Sequence, residues 1–105
     1  MKAILCGPDE NGLADALEAE GVELTHIDGV VTRPSLEDAG VVDAELVVLT
    51  DVAEATAIPL AKELNPDVRV VVYAEQSLPE FAKGQADLAV DPKLLDASVV
   101  ADELV

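Results

Sequence analysis

The stretch Lys2-Ala3-Ile4-Leu5-Cys6-Gly7-Pro8-Asp9-Glu10-Asn11-Gly12 decides the fold. A short apolar run that suits a buried parallel strand enters a glycine-bounded turn, and Leu13, Ala16 and Leu17 then recur at helical spacing until Gly21 stops them. The turn has the position of a phosphate-binding turn, with an acid, Asp28, roughly twenty residues further on. Asp9, however, stands where a second glycine would let a pyrophosphate approach.

Beyond this unit the same alternation continues. Val22–Ile27 reads as a second strand whose polar alternation suits a sheet edge, and Ser35–Gly40 as a very short helix opened by Pro34 or Ser35. Glu45–Thr50 is a third strand, ending at Asp51. A helix lies within Ala53–Leu64, where Pro59 requires either a kink or a start near Thr56. Val68–Ala74 is the strongest strand, with Val70-Val71-Val72-Tyr73 buried on both faces. Ser77-Leu78-Pro79-Glu80 has the spacing of a capping box for a short helix to Lys83, Asp87–Val90 is a last strand, and Asp96–Val105 a final amphipathic helix. Strands alternating with helices predict a three-layer, Rossmann-like α/β fold with a five-stranded parallel sheet in the order 2-1-3-4-5. Residues 1–105 form one domain on this reading, and ligands of such sheets bind beyond the strands' carboxyl ends at the switch between strands one and three. The candidate cofactor-binding residues there are Gly7, Pro8, Asp9, Asn11, Gly12, Asp28, Thr50 and Asp51.

Composition narrows the partners. Twenty-two acids against six bases give a net charge of −16, which excludes nucleic acid, whose backbone requires a basic footprint. Acids spread along a chain that is 50% apolar point to a folded domain in a high-salt solvent, because at about 1 M salt the Debye length falls to about 3 Å and self-repulsion fades. An extreme halophile's cytoplasm is the expected setting. No apolar run approaches the length of a membrane span, and the N-terminus lacks the pattern of a signal peptide. The single cysteine, Cys6, excludes an internal disulfide.

Leu36–Val41, Ala44–Asp51, the run Ala61-Lys62-Glu63-Leu64-Asn65-Pro66-Asp67-Val68-Arg69-Val70, Gly84–Asp87 and Asp91-Pro92 together resemble the N-terminal nucleotide-binding domain of potassium-uptake regulators, the TrkA-N or RCK-N family. The resemblance implies a non-catalytic, archaeal-type regulatory module that takes NAD(H) or another adenine nucleotide, with Gly7 and Gly12 as the turn glycines and Asp28 on the ribose hydroxyls. Between Asp28 and Pro34 that family carries a further helix and strand, so one sheet edge is expected to be cut away. The alternative is a ligand-free interaction module that pairs as a homodimer through the shortened edge or binds another protein, in which Asp9 and Asn11 only cap the first helix.

The receiver domains of phosphorelay proteins share the expected strand order, and Asp51 with Gly84–Pro92 resembles their landmarks. A receiver also needs clustered acids for magnesium, a hydroxyl after strand four and a lysine after strand five, whereas this chain has Ala74 and Asp91 at the last two places. Asp51 therefore reads as a helix cap. No metal site is expected, although Asp9, Glu10 and Asp51 are the carboxylates that a hard cation would choose. Cys6 and His26 are the only thiol and imidazole that neighbouring strands could pair, and an enzyme would depend on them. Packing roles for both, and for Tyr73, are the simpler reading, and no catalytic residue is expected.

Overall fold

The computed structural model describes all residues, Met1–Val105. Five strands, β1 (Lys2–Cys6), β2 (Glu23–Ile27), β3 (Leu46–Leu49), β4 (Arg69–Tyr73) and β5 (Leu88–Val90), form one parallel sheet in the order β2-β1-β3-β4-β5. The helices between and after them are α1 (Leu13–Ala19), α2 (Arg33–Asp38), α3 (Ala57–Leu64), α4 (Glu80–Lys83) and α5 (Ala97–Leu104). Registers fix the sheet from the centre, pairing Cys6 with Ile27 on one side and with Leu49 on the other.

Because side chains alternate across a strand, each central strand supplies two cores. Ile4, Cys6, Val47, Leu49, Val70 and Val72 face α2, α3 and α4 through Leu36, Ile58 and Ala82. Ala3, Leu5, Leu46, Val48, Val71 and Tyr73 face α1 and α5 through Leu13, Leu17, Val100 and Leu104. Tyr73 is buried, and its hydroxyl donates to the Leu95 carbonyl at 2.8 Å, which gives the polar end a partner. The expected packing role of this residue is what the structure shows.

The helix start near Thr56 that Pro59 calls for is present, and local details depart from the sequence at two caps. Pro59 lies in the first turn of α3, which starts at Ala57 after a separate 3-10 turn at Val52–Glu54, so its missing N–H has no intrahelical partner to lose. The capping box expected at Ser77 does not form: Pro79 precedes α4 and no side chain caps it. A capping box occurs instead at α2, where Thr32 Oγ1 accepts from Ser35 N at 3.2 Å and Ser35 Oγ accepts from Thr32 N at 2.8 Å. The sheet has the five strands expected, with no further helix and strand between Asp28 and Pro34 other than the start of α2. The short segment Asp28–Thr32 leads directly into α2. No helix is long and apolar enough to cross a membrane.

Partly exposed polar stitches join the layers. Asn65 Nδ2 lies 3.0 Å from the carbonyl of Val41 and 2.9 Å from that of Ala44, holding the turn before β3 against the end of α3. Asp87 Oδ2 accepts from Lys62 Nζ at 2.8 Å and from Val70 N at 2.7 Å, and Lys62 Nζ also donates to the Val68 carbonyl at 2.7 Å. The Lys62 hydrogen bond, aided by the Val70 N–H, holds the Asp87 carboxyl below its ordinary pKa. Its stabilisation is therefore present above the ordinary carboxylate range and is lost as pH falls through the lowered value. Because the Asp87 side chain is partly exposed and its charge screened by solvent, replacing it by Asn should cost about 0.5–1 kcal/mol at neutral pH, read as a lower urea midpoint with unchanged slope, and the deficit should shrink in acid. An undiminished deficit in acid would exclude the carboxylate charge as its cause.

Candidate functional site

The carboxyl ends of β1, β2 and β3 open onto a crevice of about 460 Å³ lined by Gly7, Pro8, Asp28, Gly29, Val30, Asp51 and Glu54. This is the switch point at which the sequence places a ligand, and four of the eight expected residues line it.

Gly7 has φ +109°, and a Cβ there would fall 2.5 Å from Thr50 Oγ1. The glycine is thus required by close packing of the β1 turn on β3. Thr50 Oγ1 donates to the Pro8 carbonyl at 2.6 Å, with the Cys6 carbonyl at 3.2 Å, and Thr50 N donates to Cys6 O at 3.0 Å. His26 Nε2 donates to the Gly7 carbonyl from the other side and lies 3.5 Å from Asp28 Oδ1. The turn is therefore held by both neighbouring strands.

Asp9 Oδ1 accepts from Ala14 N at 3.2 Å in the first turn of α1, so this residue caps the helix. Asn11 makes no such bond and is exposed, and Gly12 occupies the left-handed N-cap position at φ 75°. Asp51 Oδ1 accepts from Ala53 N at 2.9 Å and caps the following turn, as expected. With Asp9 and Asp51 each turned to a backbone N–H, the carboxylates suggested for a hard cation do not converge. No group of three or more His, Cys, Asp or Glu side chains is placed to hold a metal ion. Arg33 pairs with Glu63 at 3.1 Å on the surface.

Glu54 was not legible as part of this site. Its Oε1 accepts from Val31 N at 2.8 Å, which fixes the loop after β2, and its charge joins those of Asp28 and Asp51 around the crevice. No lysine or arginine lines the opening. Each carboxylate within about 4 Å of a phosphate charge would cost on the order of 1–4 kcal/mol across the dielectric range of a protein surface.

Cys6 is fully buried, its thiol pushed from an ordinary 9.0 up to about 12, first by burial and then by the charge of Glu54. A thiol that stays protonated and enclosed is no nucleophile, which removes the Cys6–His26 route to catalysis. Native protein should resist a thiol reagent that labels it rapidly in urea. Since the folded value is raised, the contribution of Cys6 is complete below about pH 9 and is lost as pH rises toward about 12. Cys6→Ala should flatten the loss of stability over that alkaline window, and an unchanged pH profile would place the effect elsewhere.

A family model matches residues 3–104, that of a family of unknown function (DUF7126). It spans nearly the whole chain, so the chain belongs to that family. No curated protein matches the sequence. Among solved structures, an orphan response regulator of H. pylori is 16% identical with a TM-score of 0.76, over 99% of this chain and 92% of that one. An atypical orphan response regulator described as having a phosphorylation-independent regulatory mechanism is 18% identical with a TM-score of 0.69, over 98% and 91%. A CheY-like receiver domain protein from Methanospirillum hungatei is 18% identical with a TM-score of 0.67, over 99% and 90%. At such identities the likeness shows the fold, a three-layer CheY-like α/β fold, and nothing further.

These findings overturn the resemblance to potassium-uptake regulators and the TrkA-N/RCK-N nucleotide-binding reading built on it. The family model is a different one and the structural neighbours are receivers. The residues that suggested that family have structural roles in this chain: Lys62, Asn65 and Asp87 make the stitches between α3, β4 and β5.

Proposed function

We propose that this DUF7126 member is a non-catalytic, receiver-like interaction module that acts without phosphorylation and pairs with a second copy of itself. The observation that carries the reading lies at the carboxyl end of β3. There Thr50 uses its hydroxyl to tie down the β1 turn and Asp51 Oδ1 caps the following 3-10 turn, while the hydroxyl and the lysine that a receiver sets around a phosphoryl group are missing. The hydroxyl position after β4 is Ala74, and the lysine position after β5 is Asp91. The fold is that of a receiver, while the side chains of phosphotransfer are replaced.

The pairing surface in this reading is the β5 edge rather than the β2 edge. β2 turns exposed Glu23, Thr25 and His26 outward, a poor surface for desolvation. On the other side, Leu88, Leu94, Leu95 and Val99 are four of the nine exposed large apolar side chains of the whole chain. Leu88, Leu95 and Val99 also line a groove between β5 and α5 whose only charged lining residue is Glu103. A two-fold contact places the same patch on both partners, so apolar meets apolar and the surrounding acids remain in solvent.

Light scattering in molar KCl should give a dimer that Leu88→Glu or Val99→Glu converts to monomer, while Val42→Glu, on exposed apolar surface elsewhere, leaves it intact. Acetyl phosphate with magnesium should change neither mass nor assembly, and NADH and ATP should produce no saturable change. A phosphoryl adduct on Asp51, or a wild-type monomer, would defeat the reading.

The high-salt solvent inferred from composition belongs to the same proposal. A net charge of −16 on a domain with a radius of gyration of 12.1 Å is self-repulsive at low ionic strength. Raising KCl from low to molar concentration should lift Tm by more than about 5 °C, which for a domain of this size is on the order of 1 kcal/mol. A Tm indifferent to salt would show that the charge is already accommodated.

A further inference from the structure

A second hollow, separate from the β1–β3 crevice, lies between the carboxyl ends of β4 and β5, the loop after β4 and helix α4. Its volume is about 370 Å³, within the range of small-molecule sites. Val72 and Leu78 give it an apolar floor, on the face of the sheet covered by α4. The space exists because Ala74, Ala86 and Ala89 line it where longer side chains would fill it.

Its polar lining is unlike that of the rest of the surface. In a chain with six bases against 22 acids, this lining carries one of each, Lys83 and Asp91, together with Gln76 and Ser77. The ammonium of Lys83 is held only by Glu80 at 3.1 Å, and both side chains are mostly exposed, so the pair is weak and Lys83 is free to turn to another anion. Asp91 Oδ1 accepts from Lys93 N at 2.9 Å, which leaves Oδ2 available. The side chains of Gln76 and Ser77 make no hydrogen bond within the protein.

We propose that this hollow binds a small branched aliphatic amino acid, with its side chain over Val72, Leu78 and Ala89, its carboxylate at Lys83 and its ammonium at Asp91. An apolar pocket with one cation and one anion in its lining matches a zwitterion with an apolar side chain. An aliphatic acid or an aliphatic amine satisfies one charge and leaves the other unanswered, and a nucleotide brings several negative charges to a single lysine. Gln76 and Ser77 supply the further hydrogen bonds that a carboxylate accepts.

L-leucine is the probe, and its two halves, 4-methylpentanoate and 3-methylbutylamine, are the controls. Chemical-shift titration of the full chain in molar KCl should show saturable leucine shifts centred on Val72–Asp91, with both controls at least about tenfold weaker, or 1.4 kcal/mol each. Lys83→Gln, an exposed substitution, should weaken leucine by a similar factor at unchanged Tm, and Ala86→Leu should fill the space and abolish binding. The proposal is overturned if leucine gives no saturable shift, if either half binds equally well, or if Lys83→Gln leaves the affinity unchanged. Pairing through the β5 edge is tested separately by mass, so a monomer that binds leucine would defeat only the pairing.

Discussion

Everything in this molecule depends on β1, β3 and β4 being covered on both faces. A parallel strand at the centre of a sheet has no solvent side, so both of its side-chain sets must be apolar and both must be met by helices. Ile4 and Cys6 look one way, Ala3 and Leu5 the other, and β3 and β4 repeat the pattern. The helices that meet them are short and rich in alanine and leucine, which keeps both layers thin. With Tyr73 as the only buried aromatic, the core is built from many small increments of buried area rather than a few large ones.

Thin layers leave the connections to be fixed by polar atoms. Asn65, Lys62 with Asp87, Arg69 and Thr50 each reach from one element to a backbone carbonyl or N–H of another. Arg69 Nη2, for example, donates to the Leu104 carbonyl at 2.6 Å and so fastens α5 to the foot of β4. Such bonds are individually modest, but they are made at the strand ends, where hydrophobic packing alone leaves orientation poorly defined. No buried side-chain nitrogen or oxygen is left without a partner.

The fold was legible because its signals are periodic and redundant. Runs such as Val70-Val71-Val72-Tyr73 and the strand-helix alternation fix the class and the strand order, and local errors of capping do not propagate. The cap at Thr32 is masked in the sequence by Pro34 and Ser35, each of which also marks a helix start, and the Ser77–Glu80 spacing fits a capping box although Pro79 opens the helix. The site was far less legible. Glycine-bounded turns and an acid after the second strand recur wherever a parallel βαβ unit turns tightly, whatever it binds. What separates a ligand site from a braced turn is the atom to which each side chain is bonded, and spacing does not contain that. Thr50 donating to Pro8, Asp9 capping Ala14 and Glu54 holding Val31 are facts of three-dimensional placement.

On the proposed reading, the same bracing accounts for how a receiver-type fold can persist without phosphotransfer. In the crevice at the switch point, Thr50 is bonded to the β1 turn, Asp51 Oδ1 to Ala53 N, and His26 to the Gly7 carbonyl. A switch needs two arrangements of nearly equal free energy, and a turn held by both adjacent strands has one. The more open part of the molecule has moved along the sheet to β5, where the strand is only three residues long, the alanines leave a hollow and the large apolar side chains are exposed. Low local packing at that edge makes its rearrangement cheaper than any change at β1 and β3. If this domain responds to anything, the physical capacity to respond resides at the β4–β5 edge and not in the loop that most resembles a binding motif.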